Sequence, residues 1–132
     1  MEKKQSDLFS LEGKVIIVTG GTGVLGAGFV KGIAKQGGTV IVIGQNAEKG
    51  NQIVDEVVAD GGTALFIAAN VLEENQLIAA KNIIIEKYGK IDGLVNGAGG
   101  NVPEGVLPPT EDVFNLNIEG MKKALVLNLW GT

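Results

Sequence analysis

Residues 14–43 read KVIIVTGGTGVLGAGFVKGIAKQGGTVIVI, and this stretch switches twice between two hydrophobic periods. Its first part, Lys14 to Thr19, is a nearly continuous run of β-branched residues, which is typical of a strand buried on both faces of a parallel sheet. After a glycine cluster, apolar residues recur at helical spacing until Gly37 and Gly38 end the helix. Thr39 to Ile43 then predicts a second strand, so the stretch forms a β-α-β unit.

The same alternation continues along the chain. Helices are predicted over Ala47–Ala59 and roughly Glu73–Tyr88, and strands over Thr63–Ala69 and Ile91–Asn96. Strands that alternate with helices of about 10 to 15 residues pair in parallel through right-handed crossovers. The sequence therefore predicts the α/β class, as a single domain over residues 1–132.

The pattern changes after the fourth predicted strand. Residues Gly97 to Thr110 contain all three prolines of the chain and are predicted to form a long surface loop. Loops at the carboxyl ends of parallel strands are common places for ligands. From Glu111 onward, apolar residues recur at helical spacing and predict a further helix, and the chain stops inside this pattern.

Composition excludes several kinds of chemistry. The 132 residues include no cysteine and no histidine, which excludes disulfides, zinc sites of the Cys/His type and Ser-His-Asp triads. A net charge of -4 and a pI near 4.8 argue against a nucleic-acid-binding protein. No apolar run approaches the ~20 residues that span a bilayer, and the polar start MEKKQSD lacks the apolar core of a signal peptide. We therefore expect a cytoplasmic protein without a metal site and without a membrane partner.

Gly21, Gly23 and Gly26 form a Gly-x-Gly-x-x-Gly pattern between a predicted strand and a predicted helix. In this context glycine permits a tight turn, close approach of phosphate oxygens and close packing of the helix on the sheet. The free amides and the dipole of the helix would then face a pyrophosphate. No Gly-Lys-Ser/Thr closes the segment, which excludes a P-loop. The alternative is a glycine-rich turn without a ligand.

A residue that selects the cofactor ribose is expected at the end of the second strand, about twenty residues further on. This place is occupied by Gly44, Gln45 and Asn46. It therefore holds neither a carboxylate for the ribose of NAD nor an arginine for the 2′-phosphate of NADP. Gln45 or Asn46 could hydrogen-bond either form of the ribose. Alternatively, both residues only begin the next helix, with Asn46 as its N-cap.

Three further segments extend the pattern: Asn70-Val71 after the third strand, GKIDGLVNGAGG over residues 89–100, and NLWGT over residues 128–132. Together with the glycine motif, they resemble the short-chain dehydrogenase/reductase family in order and spacing over nearly the whole chain. The resemblance implies a Rossmann-type parallel sheet flanked by helices, truncated here to the strand order 3-2-1-4. The loop NGAGGNVP, residues 96–103, resembles the sugar-acid branch of the family, which includes enzymes similar to D-mannonate (fructuronate) reductase and gluconate 5-dehydrogenase.

The resemblance also implies a dinucleotide cofactor, NAD or NADP, and the residues that would bind it. Asn70 would meet the adenine amino group and Val71 would lie beside the ring, while Gln45 and Asn46 would lie near the ribose. The phosphate-binding turn would comprise Gly20, Gly21, Thr22, Gly23, Val24, Leu25 and Gly26, and the nicotinamide side would be bordered by Asn96, Gly97, Ala98 and Gly99.

Asn128 matches the asparagine of the family's catalytic tetrad, which positions a water in the proton relay. A similar sequence, Asn-Ile-Glu-Gly, begins at Asn117. It lies closer to the preceding loop than the family motif does, so Asn128 is the preferred match. The chain departs from the family pattern at Val24, Gly44, Asn70 and Gly97. Gly44 is the most consequential of these departures because it removes the carboxylate that would bind the ribose of NAD.

The catalytic serine, tyrosine and lysine of the family have no match in this sequence. The only tyrosine, Tyr88, ends an apolar helix stripe and is followed four residues later by Asp92 instead of lysine. We therefore expect Tyr88 to pack in the core. Ser6 and Ser10 lie near the N-terminus, far from the expected cleft.

Two functions remain open. The chain is either the amino-terminal half of an NAD(P)-dependent oxidoreductase, inactive by itself, or a non-catalytic dinucleotide-binding or interaction module. Its end inside a helical pattern favours the first, for which the family implies a small-molecule substrate. An exposed fourth strand and a terminal helix with several apolar residues further predict a homo-oligomer. These helix residues are Leu125, Leu127, Leu129 and Trp130.

Overall fold

The structure of this chain, a computed structural model, describes residues 8–132, so Ser6 lies outside the described residues. The strands are β1 (Val15–Thr19), β2 (Thr39–Gly44), β3 (Thr63–Ala68) and β4 (Gly93–Asn96). The helices are α1 (Val24–Lys35), α2 (Ala47–Ala59), α3 (Glu74–Tyr88) and α4 (Ile118–Leu125). Single 3-10 turns cover Pro103–Gly105 and Val113–Asn115, and a π-helical turn covers Val126–Trp130.

The strands form one parallel sheet in the order β3-β2-β1-β4, which confirms the predicted Rossmann-type α/β fold. Thr19 pairs with Ile43 on one side and with Asn96 on the other. Gly44 pairs with Ala68 in the next strand. Because all strands run in the same direction, their carboxyl ends lie along one edge of the sheet, the usual ligand-binding edge of such folds.

Strand β2 supplies the core on both faces of the sheet. Ile41 and Ile43 belong to one buried cluster, whereas Val40 and Val42 belong to another, because successive side chains of a strand point to opposite faces. Helix α3 covers the first cluster, and α1 and α2 cover the second. The other members are Val15, Ala69, Ala80 and Ile84 in the first cluster, and Val18, Val30, Ile53 and Val57 in the second.

Tyr88 packs, half-buried, against the first of these clusters, which confirms its predicted role in the core. Its ring therefore fills the space between α3 and the sheet instead of facing the carboxyl edge of the sheet.

The prediction of a helix from Glu111 onward is wrong in its first part. The Asp112 carboxylate accepts a hydrogen bond from Phe114 N–H at 3.1 Å and begins a separate 3-10 turn. Helix α4 begins only at Ile118, after its N-cap Asn117, whose Oδ1 accepts from Gly120 N–H at 3.1 Å. Asp and Asn side chains compete for backbone amides in this way, so apolar periodicity alone misplaced the start of the helix.

The described chain divides into two compact units, one ending at Gly97 and the other comprising Ala98–Thr132. The sheet with α1, α2 and α3 forms the first unit. In the second unit, the turn Pro103–Gly105 packs on α4 with backbone against backbone, since a Cβ on Gly120 would overlap the carbonyl oxygen of Glu104. A single domain over residues 1–132 stays a prediction.

Asp92 joins β4 to β1 at the amino-terminal edge of the sheet. Its Oδ2 accepts from Val15 N–H at 2.8 Å and lies 3.0 Å from Lys90 Nζ, while its Oδ1 lies 3.6 Å from Lys14 Nζ. The hydrogen bond from the Val15 backbone, and then the one from Lys90, hold the pKa of Asp92 below its ordinary value. Ionised Asp92 therefore stabilises the first unit.

We expect Asp92→Asn to lower the midpoint of thermal unfolding at neutral pH, because the amide keeps the side-chain shape but loses the charge. Since the folded-state pKa lies below the unfolded one, the stabilisation is complete above about pH 3.9 and is lost as the pH falls through the folded-state pKa. Thermal scans at decreasing pH should show wild type and variant converging at the acidic end. Asp55→Asn, which neutralises an exposed carboxylate of α2, is the control. Equal midpoints of wild type and Asp92→Asn at neutral pH would contradict the assignment.

Candidate functional site

The turn between β1 and α1 is fixed by its own backbone. Gly20 has a φ of 63°, in the left-handed region that glycine adopts at no steric cost. Gly23 N–H donates to the Gly20 carbonyl at 2.9 Å. Gly21 N–H donates to the Ile43 carbonyl at 3.2 Å, which holds the turn against the end of β2.

The glycines of the motif have different roles. A Cβ on Gly26 would overlap the Gly20 carbonyl oxygen and lie 2.7 Å from Gly21 Cα, and a Cβ on Gly21 would lie 2.7 Å from Val42 Cγ1. These two glycines therefore allow α1 and β2 to pack closely on the turn. A Cβ on Gly23 would meet only the Gly20 oxygen, at 3.3 Å, and Gly23 is exposed. Gly23 is thus the motif glycine that keeps space open beside the helix.

The amino terminus of α1 is open. Its N-cap, Gly23, has no side chain to accept a hydrogen bond, and the first turn of the helix contains no acidic residue. Val24 and Leu25 are 94% and 78% exposed, so neither covers the helix end, although Val24 stands where the family has glycine. The N–H groups of a first helical turn lack partners within the helix and carry a partial positive charge. The geometry fits an anionic group such as a diphosphate.

The end of β2 carries the next group of candidates. Asn46 is the N-cap of α2, and its Oδ1 accepts from Lys49 N–H at 2.9 Å, which confirms its predicted position as the helix cap. Gln45 is exposed, and Gly44 is buried with its carbonyl accepting from Ala69 N–H at 3.1 Å. Of the two side chains predicted to lie near a ribose, that of Asn46 uses its oxygen to cap α2, and that of Gln45 reaches solvent.

Asn70 follows β3 and forms a local turn. Its Oδ1 accepts from Leu72 N–H at 3.1 Å, and its backbone N–H donates to Gln76 Oε1 at 2.8 Å. One lone pair of the Asn70 side-chain oxygen is thereby used, and the other is left for a further donor. Val71 is half-buried beside it. Gln76 was not a candidate from the sequence, because no motif marks a helix residue that fixes a strand end.

A buried threonine connects the ends of β1 and β4. Thr19 Oγ1 accepts from Gly97 N–H at 3.2 Å and donates to the Val95 carbonyl at 3.5 Å. A Cβ on Gly97 would lie 2.7 Å from the Thr19 carbonyl oxygen, so the chain requires glycine where the family pattern has a second asparagine. Asn96 is exposed at the end of β4. The sequence reasoning missed Thr19, whose only signal is a hydroxyl at the end of an otherwise apolar strand.

Asn128 lies in the second unit, within the π-helical turn, and holds the loop that follows β4. Its Oδ1 accepts from Gly100 N–H at 2.9 Å, and its Nδ2 donates to the carbonyls of Gly100 at 2.9 Å and Ala124 at 2.8 Å. A Cβ on Gly99 would lie 2.6 Å from Asn128 Oδ1, so glycine is required there too. Both amide protons and one oxygen lone pair of the Asn128 side chain are engaged by backbone.

The structure brings most of the candidates to the carboxyl edge of the sheet in the first unit. These are Gly20 to Gly26, Gln45, Asn46, Asn70, Val71, Asn96 and Gly97. Ala98, Gly99 and Asn128 belong to the second unit.

In Asn128→Asp, a carboxylate oxygen would replace the Nδ2 amide that now donates to the carbonyls of Gly100 and Ala124. Because this oxygen would repel the two carbonyl oxygens, we expect the Gly100 amide to become exposed. Amide hydrogen exchange at Gly100 should accelerate relative to wild type, by about tenfold for a loss of roughly 1.4 kcal/mol. Asn101→Asp introduces the same charge at an exposed neighbour and should leave exchange at Gly100 unchanged. Unchanged protection of Gly100 in Asn128→Asp would show that the side chain does not hold the loop.

Within residues 8–132, no cluster of three or more His, Cys, Asp or Glu residues could hold a metal ion. Over the same part of the chain, none of the helices is long and apolar enough to cross a membrane.

The family model for short chain dehydrogenases matches residues 14–129. This chain belongs to the short-chain dehydrogenase family. The match runs from the first residue before β1 into the π-helical turn, and therefore includes every candidate site residue. No curated protein sequence matches the chain.

Several solved members of the family are similar to this chain. A protein described as a D-mannonate oxidoreductase from Haemophilus influenza, solved with bound NAD, is 31% identical, with a TM-score of 0.86, over 96% of this chain and 49% of its own. A hydroxysteroid dehydrogenase from Escherichia coli is 33% identical, with a TM-score of 0.82, over 96% of this chain and 51% of its own. A 7α-hydroxysteroid dehydrogenase complexed with NADH is 32% identical, with a TM-score of 0.82, over 98% of this chain and 48% of its own. The chain thus spans about half the length of these relatives.

Proposed function

We propose that this chain forms the dinucleotide-binding half of an NAD(P)-dependent oxidoreductase of the short-chain dehydrogenase type. The observation that carries the proposal is the open amino terminus of α1 beside the glycine turn. The N-cap Gly23 offers no acceptor of its own, and the first turn carries no negative charge, so the amides there are free for a diphosphate. The solved relatives with bound NAD or NADH support this assignment.

In this proposal each strand end contributes one part of the site. The first-turn amides of α1 bind the diphosphate, and Gln45 lies near the adenosine ribose. Asn70 meets the adenine amino group through the free lone pair of its Oδ1, with Val71 beside the ring. Asn96 and Gly97 border the nicotinamide side.

When bound, the nicotinamide supplies hydride transfer. The residues of this chain at the carboxyl edge of the sheet orient it. Asn128, which the family resemblance assigns to the positioning of a water in the proton relay, holds Gly100 within the second unit. The chain supplies no matching acid or base, because its tyrosine, Tyr88, packs in the core. We therefore expect binding of the dinucleotide without turnover by this chain alone.

The proposed substrate is a sugar acid or a related hydroxy or keto compound. The loop NGAGGNVP and the D-mannonate oxidoreductase relative support the sugar acid. The hydroxysteroid dehydrogenases have nearly the same identity to this chain, and they support the wider class of hydroxy and keto compounds.

A non-catalytic dinucleotide-binding or interaction module is the second candidate. It is favoured by the position of Tyr88 and by Asp92, the residue four positions later, which is engaged in joining β4 to β1. The encoding DNA separates the two candidates. A continuation that encodes Tyr-x-x-x-Lys supports the oxidoreductase, and an isolated reading frame supports the module.

Calorimetric titration with NAD(H) and NADP(H) tests dinucleotide binding. We expect Gly23→Asp to weaken binding at least about tenfold, because the carboxylate would cap the first-turn amides and repel the diphosphate. The fold should be kept, since Asp is a favoured N-cap and a Cβ there would meet only the Gly20 carbonyl oxygen, at 3.3 Å, which a small shift relieves.

Gly32→Asp is the matched control, because it adds the same charge to the exposed surface of the same helix, where a Cβ would meet nothing within 4 Å. Absence of heat with wild type, or equal binding by Gly23→Asp and wild type, would contradict the proposed site.

We also propose that the chain self-associates. Within residues 8–132, β4 has a neighbouring strand on one side only, and Leu94 of this strand is 55% exposed. In the second unit, Leu129 and Trp130 are 63% and 75% exposed. Unpaired strand edges and exposed apolar patches of this kind favour association.

Sedimentation velocity over a range of concentrations should show dimers or larger species. Leu94→Lys should shift them toward monomer if β4 forms the contact, whereas Trp130→Lys should do so if the second unit forms it. A monomer at every concentration would contradict self-association.

A further inference from the structure

The pair Asn96-Gly97 ends β4, and it is the only place in the sequence where glycine directly follows asparagine. Both residues are exposed. Within residues 8–132, no other group holds the Asn96 side chain by a hydrogen bond or an ion pair. Its amide carbon is therefore accessible to solvent and free to turn about the side-chain bonds.

Packing at the end of β1 requires this pair to contain glycine. A Cβ on Gly97 would lie 2.7 Å from the Thr19 carbonyl oxygen, closer than real Cβ contacts. Without a Cβ, the peptide nitrogen of Gly97 is the least hindered nucleophile that can follow an asparagine. The contact between β1 and β4 thus creates a chemically labile pair at the carboxyl edge of the sheet.

We propose that Asn96 is a site of spontaneous deamidation in the folded chain, and that Thr19 sets its rate. The Gly97 nitrogen loses its proton to solvent and forms a bond to Asn96 Cγ, which closes a succinimide ring. The bond from Cγ to Nδ2 breaks, and this nitrogen leaves as ammonia after taking a proton from solvent. Water then opens the ring at either of its carbonyl carbons and leaves aspartate or isoaspartate. Nothing is oxidised or reduced.

Thr19 limits the first step because it holds the attacking nitrogen. Its side chain is buried, and its Oγ1 accepts from Gly97 N–H at 3.2 Å. The same N–H also donates to the Val95 carbonyl at 3.1 Å, so it is shared between two acceptors. The nitrogen must give up these hydrogen bonds before it can lose its proton and approach Asn96 Cγ.

Either product changes the end of β4. Both place a carboxylate where the neutral Asn96 side chain now reaches solvent. Isoaspartate also carries the main chain through its side-chain carbons, which inserts a methylene group before Gly97 and displaces the Gly97 amide from Thr19. Deamidation therefore loosens the connection between β1 and β4. This inference goes beyond the proposed function and does not depend on it, because no cofactor takes part.

The experiment follows folded wild type at mildly alkaline pH, at a temperature below its unfolding midpoint. Digestion after lysine, in weakly acidic buffer, yields residues 91–122, a peptide that contains Asn96 and also Asn101. Asn101 is exposed like Asn96 but precedes Val102, so it is the internal control. Fragmentation mass spectrometry should show aspartate and isoaspartate accumulating at position 96, faster at higher pH, with Asn101 unchanged.

Three variants test the role of Thr19. Thr19→Val keeps the shape but removes the hydroxyl, and should deamidate at least about threefold faster than wild type, as expected from one lost hydrogen bond. Thr19→Ser keeps the hydroxyl and should stay near the wild-type rate. Ile84→Val removes a buried methylene from the cluster under α3, and should destabilise the fold without accelerating deamidation. Thr19→Ala replaces Thr19→Val if the latter does not fold.

Several results would overturn the inference. One is an Asn96 that stays intact in folded wild type while the chain unfolded in urea converts. Another is an equal rate in wild type and in the variant without the Thr19 hydroxyl. A third is an acceleration in Ile84→Val as large as that in Thr19→Val, which would show that global unfolding, and not the hold on Gly97, sets the rate.

Discussion

The close packing of α1 on the turn after β1 is the constraint on which the site depends. A side chain on Gly26 would overlap the Gly20 carbonyl oxygen, and Gly21 is held to β2 by its hydrogen bond to Ile43. These contacts fix the direction of α1 and aim its first turn at the carboxyl edge of the sheet. A larger side chain at Gly26 would displace the helix from the turn.

The helices differ in how the backbone amides at their amino termini are satisfied, and this difference supports the proposed site at α1. Asn46 caps α2 and Asn117 caps α4, each through a side-chain oxygen that accepts from a backbone amide. Helix α3 has an acidic residue, Glu74, in its first turn. Helix α1 has neither a cap side chain nor an acidic residue. An uncapped helix end of this kind is stabilised by an anionic ligand.

Backbone contacts also explain why the departures from the family pattern are compatible with the fold. Gly97 is required because the Thr19 carbonyl lies where its Cβ would be, and Gly44 is required because Thr22 occupies the corresponding space. Val24, in contrast, is nearly fully exposed and restricts nothing around it. Two of the departures are therefore consequences of local packing.

The order of strands and helices, the parallel sheet and the glycine turn were predictable from the sequence, because hydrophobic period and glycine placement are local properties. The core role of Tyr88 and the N-cap role of Asn46 followed from the same local patterns. The start of α4 was not predictable from periodicity, since the Asp112 and Asn117 side chains compete for backbone amides.

The use of individual residues depends on contacts between distant parts of the chain. Three features join segments that lie many residues apart in the sequence. They are the close packing around Gly21 and Gly26, the contact of Thr22 with Gly44, and the hydrogen bonds between Asn128 and Gly100. Local pattern therefore determined the architecture and the sheet edge at which most of the candidate residues lie. The tertiary structure determined which polar groups are already engaged and which are free to bind a ligand, because hydrogen bonding and close packing act between neighbours in space.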